Sequence, residues 1–323
     1  MIARSPPGTG MNPKDNANSS AIAWLLFGVM AGLGLDLAAK QVLEDYPLEQ
    51  FIFLRSLIGL LLFLSISHRF GGLRALKTRK LHWHLLRTLL SVGAMFGFFY
   101  GLTQMPLIDA LTLGYTAPLM VTALSAIALG DHVGWRRWLA VGVGFVGVLV
   151  MLRPGVEQLS FASLAVLFAA FSYACLAITS RSLAKTESSL SLSVYVIAGP
   201  MLVSGVLSLE GGWKMPDAPG LALFFLAGAC SVMAWIGIVA AYRRASPAML
   251  APFEYSALVL GAIAGYVIWD EVPDAWSIAG ALVIVGAGLF VAFREIGRPL
   301  SGRYLRALTA AAATGVRRRL GKD

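Results

Sequence analysis

Charge is what this sequence has least of. Asp, Glu, Lys and Arg make up only 13% of its 323 residues, against roughly 25% in soluble globular proteins. Hydrophobic residues make up 58%. So few charges cannot coat a water-facing surface around a core of this size, so apolar side chains must face lipid. Cysteine is nearly missing as well. Two residues, Cys175 and Cys230, exclude a disulfide scaffold, and no Cys/His spacing fits a zinc site. There is no Walker motif to support an ATP-driven pump, and neither Gly-x-Ser-x-Gly nor HExxH points to a hydrolase.

What the chain has is long apolar runs. A helix that crosses a bilayer needs about 20 mostly apolar residues in sequence. Ten such runs are predicted: 21–43, 47–67, 83–104, 106–129, 134–152, 159–183, 190–210, 219–241, 246–268 and 273–293. Pro, Gly or charge marks each joint, and most joints are short, so successive helices are antiparallel neighbours. Placing the N-terminus in the cytoplasm puts 21 Lys and Arg residues on inner segments and two, Arg153 and Lys214, outside. Lys40, Arg55 and Arg87 remain within spans. The net charge of +9 is therefore a topology signal spread over six inner segments, and nucleic acid is not an expected partner. Residues 1–20 are expected to be a disordered cytoplasmic tail and 294–323 a basic cytoplasmic tail, either solvated or lying on the anionic inner leaflet.

The two halves share landmarks. Leu26-Phe27 with Lys40 answers Leu167-Phe168 with Arg181; Tyr115 with Asp131 answers Tyr255 with Glu271; Trp138 and Gly142 answer Trp276 and Gly280. Each unit has five spans, an odd number, so the second copy enters the membrane from the opposite side. The expected fold is an all-α integral membrane protein: ten transmembrane helices in two inverted five-helix repeats, residues 21–153 and 159–293. Asp131 is then cytoplasmic and Glu271 external.

Several segments carry a family resemblance. They are Phe53-Leu54-Arg55-Ser56, Met105 to Ala110 running to Ala117-Pro118-Leu119, Leu129-Gly130-Asp131, Arg136-Arg137-Trp138, Gly144 to Val148 ending at Arg153-Pro154-Gly155, and Ala251-Pro252-Phe253-Glu254-Tyr255. With these the chain resembles EamA-type transporters of the drug/metabolite transporter superfamily, and most of all the branch that holds bacterial riboflavin and S-adenosylmethionine uptake transporters. The resemblance implies a bacterial inner-membrane protein, transport without ATP, and a central cavity lined by spans 1, 3, 4, 6, 8 and 9. An acidic residue usual in the first-repeat loop is Asp131 here.

Other motifs are architectural. Gly142-Val143-Gly144-Phe145-Val146-Gly147 reads as a dinucleotide fingerprint, but it lies inside an apolar span and no acidic residue follows until Glu157. It is expected to pack helices, as are Gly28 and Gly32, Gly93 and Gly97, and Gly261 and Gly265. His82-Trp83-His84 has no third ligand nearby and is expected at the membrane interface, with no metal. Arg87 and Asp109 are expected there too.

Ionisable residues inside spans are costly and usually line a cavity or have a partner. Asp36 and Lys40 stand at i and i+4 on span 1, a favourable helix pair. Arg55 near the middle of span 2 either pairs with Asp36 or attracts an anionic group. Asp36, Lys40, Arg55 and Glu254 are thus candidates for coupling or for structural ion pairs, and Glu254 or Asp36 for the proton site. Of the aromatics away from the interfacial belts, which include Tyr100, the candidates for a substrate wall are Tyr115, Tyr173, Trp235 and Tyr255, with Glu254. The expected function is secondary transport of a small metabolite by alternating access, with no cofactor and with riboflavin uptake as the narrowest form. Export of amino acids or related metabolites is the alternative within transport. A non-transporting receptor or scaffold is the alternative of another class, and the short loops argue against it. Oligomeric state is left open.

Overall fold

The structure, a computed structural model, describes residues 13–66, 72, 76–130, 133–153, 160–183, 186–210, 212–245 and 247–296. Asp131, the 1–12 segment and the basic run from 297 onward lie outside the described residues. Among the described residues there are twelve helices: α1 (Pro13–Asp45), α2 (Leu48–Ser65), α3 (Leu81–Gln104), α4 (Leu107–Gly114), α5 (Ala117–Ala128), α6 (Trp135–Leu152), α7 (Phe161–Leu183), α8 (Ser189–Glu210), α9 (Ala218–Tyr242), α10 (Pro247–Glu254), α11 (Ser256–Trp269) and α12 (Ala275–Ile296). They form ten segments long and apolar enough to cross a membrane, because α4 with α5 and α10 with α11 each make one broken span. All ten coincide with the predicted runs to within a few residues. The connections after spans 1, 3, 5, 7 and 9 gather at one end of the bundle, here the odd-loop end, and the others at the even-loop end.

The breakers act where the sequence places them. Pro47 and Pro106 precede the first turns of α2 and α4, where a missing N–H costs nothing. Asp217 caps α9 by accepting the Gly220 N–H at 2.8 Å. That bond, with the Tyr46 hydroxyl at 2.9 Å, holds the Asp217 carboxyl below the usual carboxylate range. Gly130 and Asp270 end the two broken spans with positive φ, +66° and +54°. They occupy corresponding places in the two halves. Glycine takes that conformation freely, and aspartate is among the few other residues that tolerate it.

Packing between the halves obeys a two-fold exchange. The α1–α9 contact has its counterpart in α7–α3, and α2–α9 in α8–α3; α2–α8 and α6–α12 are their own counterparts. The spans of the two halves thus interlock as inverted five-helix repeats. Small residues permit the closest crossings. A Cβ placed on Gly237 would stand 2.6 Å from the Gly28 Cα and 2.8 Å from the Trp24 carbonyl oxygen. One on Gly280 would stand 2.8 Å from the Gly147 oxygen. The last glycine of the GxGxxG run therefore packs α6 on α12, whereas Gly142 faces open space. Gly237→Val is expected to destabilise the fold by about 3 kcal/mol, the upper end for overpacking, because backbone cannot yield as a side chain can. Thermal unfolding in detergent reads this out; an unchanged midpoint would show that α1 and α9 can separate without loss.

Candidate functional site

The two broken spans meet each other. Their breaks are built alike. At Tyr115-Thr116 the Thr116 hydroxyl donates back to the Leu113 carbonyl at 2.6 Å; at Tyr255-Ser256 the Ser256 hydroxyl donates to the Phe253 carbonyl at 2.6 Å. Pro118 follows the first break by three residues and Pro252 precedes the second by three. Each lacks an N–H for the helical ladder, and each hydroxyl bonds back to a carbonyl of the preceding turn. The Tyr115 and Tyr255 rings lie 5.3 Å apart at 38°, and the Tyr115 hydroxyl donates to the Glu254 carbonyl at 2.9 Å.

Four tyrosines from four spans surround one carboxylate. Glu254 is the last residue of α10, where helix carbonyls point outward with partial negative charge. The Tyr242 hydroxyl, from the end of α9, donates to its Oε1. Tyr173, Tyr115 and Tyr255 all feel the Glu254 charge. Tyr173 stands at mid-span in α7 yet is 60% exposed. A side chain so exposed at that depth borders lipid or an internal space, and the Glu254 charge lies near enough to act on it. The carboxylate and the π faces are electronegative, so the site is chemically suited to a positively charged group. Asp36 adds a second carboxylate that acts on both Tyr115 and Arg55.

The odd-loop end above this site is tied shut. Lys40 forms an ion pair with Glu271 and donates to the Met105 carbonyl at 3.2 Å. Glu271 also accepts the Leu107 N–H at 2.8 Å, so one carboxylate joins α1, the start of α4 and the end of α11. The Trp269 indole covers the Lys40 ammonium at 5.3 Å and donates to Glu44 at 2.7 Å. Arg153 pairs with Asp274 beside them. A depression of about 450 Å³ opens outward over this cluster, with Lys40 and Glu271 in its lining. At the even-loop end the bonds run instead from the start of α3 to the α7–α8 connection: Lys80 to Thr186 at 3.0 Å and His84 to Glu187 at 3.3 Å.

Comparison with known proteins agrees with this architecture. Residues 19–153 match the EamA-like transporter family. The chain is 31% identical over 288 residues to a protein named S-adenosylmethionine uptake transporter from Rickettsia prowazekii (strain Madrid E), covering 88% of this chain and 96% of that one. The chain belongs to the EamA-like transporter family. It is a multi-pass membrane transporter and not an enzyme. A protein named riboflavin transporter from Rhizobium johnstonii is 28% identical, over 87% of this chain and 94% of its own. A pseudopaline exporter from Pseudomonas aeruginosa is 26% identical, over 83% and 92%. One solved crystal structure superposes with a TM-score of 0.61 at 19% identity, covering 88% of this chain and 99% of that one, and shares the fold.

In this EamA-like transporter the structure brings together Tyr115, Tyr173, Glu254 and Tyr255, four of the residues singled out in the sequence. It does not bring Trp235 to them. Trp235 packs edge-on against Phe63 at 4.8 Å and lines a cavity between α2, α8 and α9. Lys40 does not pair with Asp36, its i–4 neighbour; Glu271 takes it, because that carboxylate also needs a cation beside the Leu107 N–H. Arg87 is buried within the bundle near the start of α3 and donates to the Ser180 hydroxyl at 2.9 Å and the Leu192 carbonyl at 3.2 Å. His84 is likewise fully buried, with its ring 4.4 Å from that of Tyr195. Asp109 is half-buried beside Ser277, Glu271 and Arg153. Among the described residues there is no group of His, Cys, Asp and Glu arranged for a metal. Sequence reasoning missed Tyr242, which looked like the end of a span. Its approach to Glu254 depends on how α9 and α10 fold back on each other, and no spacing announces that.

Proposed function

We propose that this transporter carries a positively charged aromatic metabolite of the S-adenosylmethionine class into the cell, by alternating access through a site at Glu254. The observation that carries the proposal is one carboxylate at the C-terminal end of α10, ringed by Tyr115, Tyr173, Tyr242 and Tyr255. A sulfonium or ammonium centre is held there by charge and by π faces, and the aromatic base by the tyrosine wall. The Rickettsia relatives named for S-adenosylmethionine uptake support the same class. The Lys and Arg distribution supports cytoplasmic termini in a bacterial inner membrane, with the odd-loop end outside. In that orientation the described conformation is closed to the exterior by Lys40 and Glu271. Asp36, between Tyr115 and Arg55, is the carboxylate assigned to the coupling proton.

Riboflavin is the second reading. It is favoured by the paired Tyr115 and Tyr255 rings, which suit a neutral planar ring, and by relatives named for riboflavin transport. Proteoliposomes under an imposed pH gradient separate the two. Labelled S-adenosylmethionine is expected to accumulate and unlabelled riboflavin to compete weakly; the reverse order would replace the first reading with the second. Tyr115→Ala and Tyr255→Ala are each expected to weaken binding by about 0.5–2 kcal/mol, the range for a cation over an aromatic ring. Equal, undiminished affinity in both variants would remove the tyrosines from the wall.

A further inference from the structure

A second cavity, of about 150 Å³, lies between α2, α8 and α9, and none of the four tyrosines lines it. Arg55, Ser56, Gly59, Ser193, Ser231 and Trp235 line it. It starts at Arg55 near the middle of span 2 and extends toward the even-loop end, where Ser193 stands in the first turns of α8. Its head is polar and under-bonded. Arg55 is 6% exposed and Ser56 1%. The Arg55 Nε and the Ser56 Oγ have no hydrogen-bond partner, and Arg55 Nη2 reaches only the Met95 thioether at 3.8 Å. The charge of Arg55 is offset by Asp36 and by the Phe99 ring 5.2 Å away, but a ring accepts no in-plane hydrogen bond. A guanidinium has five N–H donors in a planar fork, more than these neighbours use. Buried donors in native proteins are nearly always bonded, so a guanidinium with unused donors in the wall of a cavity calls for an acceptor.

We propose that this cavity binds a carboxylate, with the Arg55 guanidinium as its fork and the Ser56 hydroxyl as a further donor. A planar monoanion matches the fork in a bidentate way. Asp36 already supplies one negative charge to Arg55, which disfavours a dianion such as phosphate. The volume is that of a cavity able to hold benzene, so the ligand is an acetate- or lactate-sized group and not a whole nucleoside. Two sources share this chemistry: a free small carboxylate, or the amino-acid end of the transported molecule. The second source rests on the substrate reading above; the first does not.

The test uses purified full-length protein in detergent. Acetate is expected to raise the thermal midpoint in a saturable way, at matched ionic strength, where its neutral isostere acetamide does not. Arg55→Gln is expected to abolish the difference. Gly59→Val is expected to do the same without touching the guanidinium, since a Cβ there stands 3.1 Å from the Ser231 Oγ and its methyls enter the cavity. That variant and the wild-type acetate–acetamide comparison keep the test alive if Arg55→Gln fails to fold. For the second source, decarboxylated S-adenosylmethionine is compared with S-adenosylmethionine. Loss of the carboxylate is expected to lower affinity about tenfold in wild type and not in Arg55→Gln, as a charge-assisted bidentate bond requires. An effect in either arm supports the site and names its source. Identical acetate and acetamide curves, together with no carboxylate dependence of substrate affinity, overturn it. If S-adenosylmethionine itself does not bind, the acetate arm still decides, so failure of the site and failure of the substrate reading remain distinct.

Discussion

Glu254→Gln is expected to cut S-adenosylmethionine uptake into proteoliposomes by about 10- to 100-fold, the worth of a hydrogen bond or contact to a buried charge. The substitution keeps the shape of the side chain and its bond from the Tyr242 hydroxyl, so folding and membrane insertion should survive. It removes the negative charge that draws a cation to the C-terminal end of α10. The loss should be selective. A neutral competitor such as riboflavin, if it enters the site at all, should bind Glu254→Gln as well as wild type. Equal uptake of the cationic substrate by both proteins would sink the assignment of Glu254 to substrate binding.

The second large effect is expected at the closed end. Glu271→Gln removes one member of the pair that Lys40 makes across the odd-loop end, and leaves the Lys40 ammonium 10% exposed without its carboxylate. Breaking a buried pair costs about 3–5 kcal/mol. Glu271 retains 17% exposure, so the lower figure applies. About 3 kcal/mol against the closed end shifts the balance between the two access states on the order of 100-fold. The measurement is the rate at which a membrane-impermeant thiol reagent, applied at the odd-loop side, modifies Leu111→Cys in a background lacking Cys175 and Cys230. Leu111 is 5% exposed and lies one turn deeper in α4 than Leu107, whose N–H Glu271 accepts. A rate unchanged by Glu271→Gln would mean the pair does not hold this end shut. Glu271→Asp, which keeps the charge, should restore much of the slow rate.

The site was partly legible before folding. Tyr115 and Tyr255 stood out because they hold equivalent places in the two repeats, and an inverted repeat places equivalent residues across its axis; the structure has their rings in contact. Glu254 stood out because a carboxylate in an apolar span requires a reason. Tyr173 was visible only as one aromatic among several. Lys40 was misplaced for a physical reason. The i, i+4 rule concerns an isolated helix, where a same-face neighbour is the nearest charge. In the folded bundle Glu271 arrives from 231 positions away and also satisfies the Leu107 N–H, so it takes the ammonium. That α7 and α8 cover Arg87 and His84 near the start of α3 was not legible, because it depends on how those helices pack.

The amino-acid order alone determined the ten crossings, their alternation and the odd repeat length. These follow from run length, breakers and the transfer cost of charge, which act locally along the chain. Tertiary structure decided which side chains share a space: four tyrosines about Glu254, Trp235 apart from them, Lys40 on Glu271, and an orphaned guanidinium at the head of a separate cavity. Such meetings depend on the rotation and depth of each helix against its neighbours. Close crossings such as Gly28 on Gly237 set those two quantities, and no periodicity within a single span encodes them.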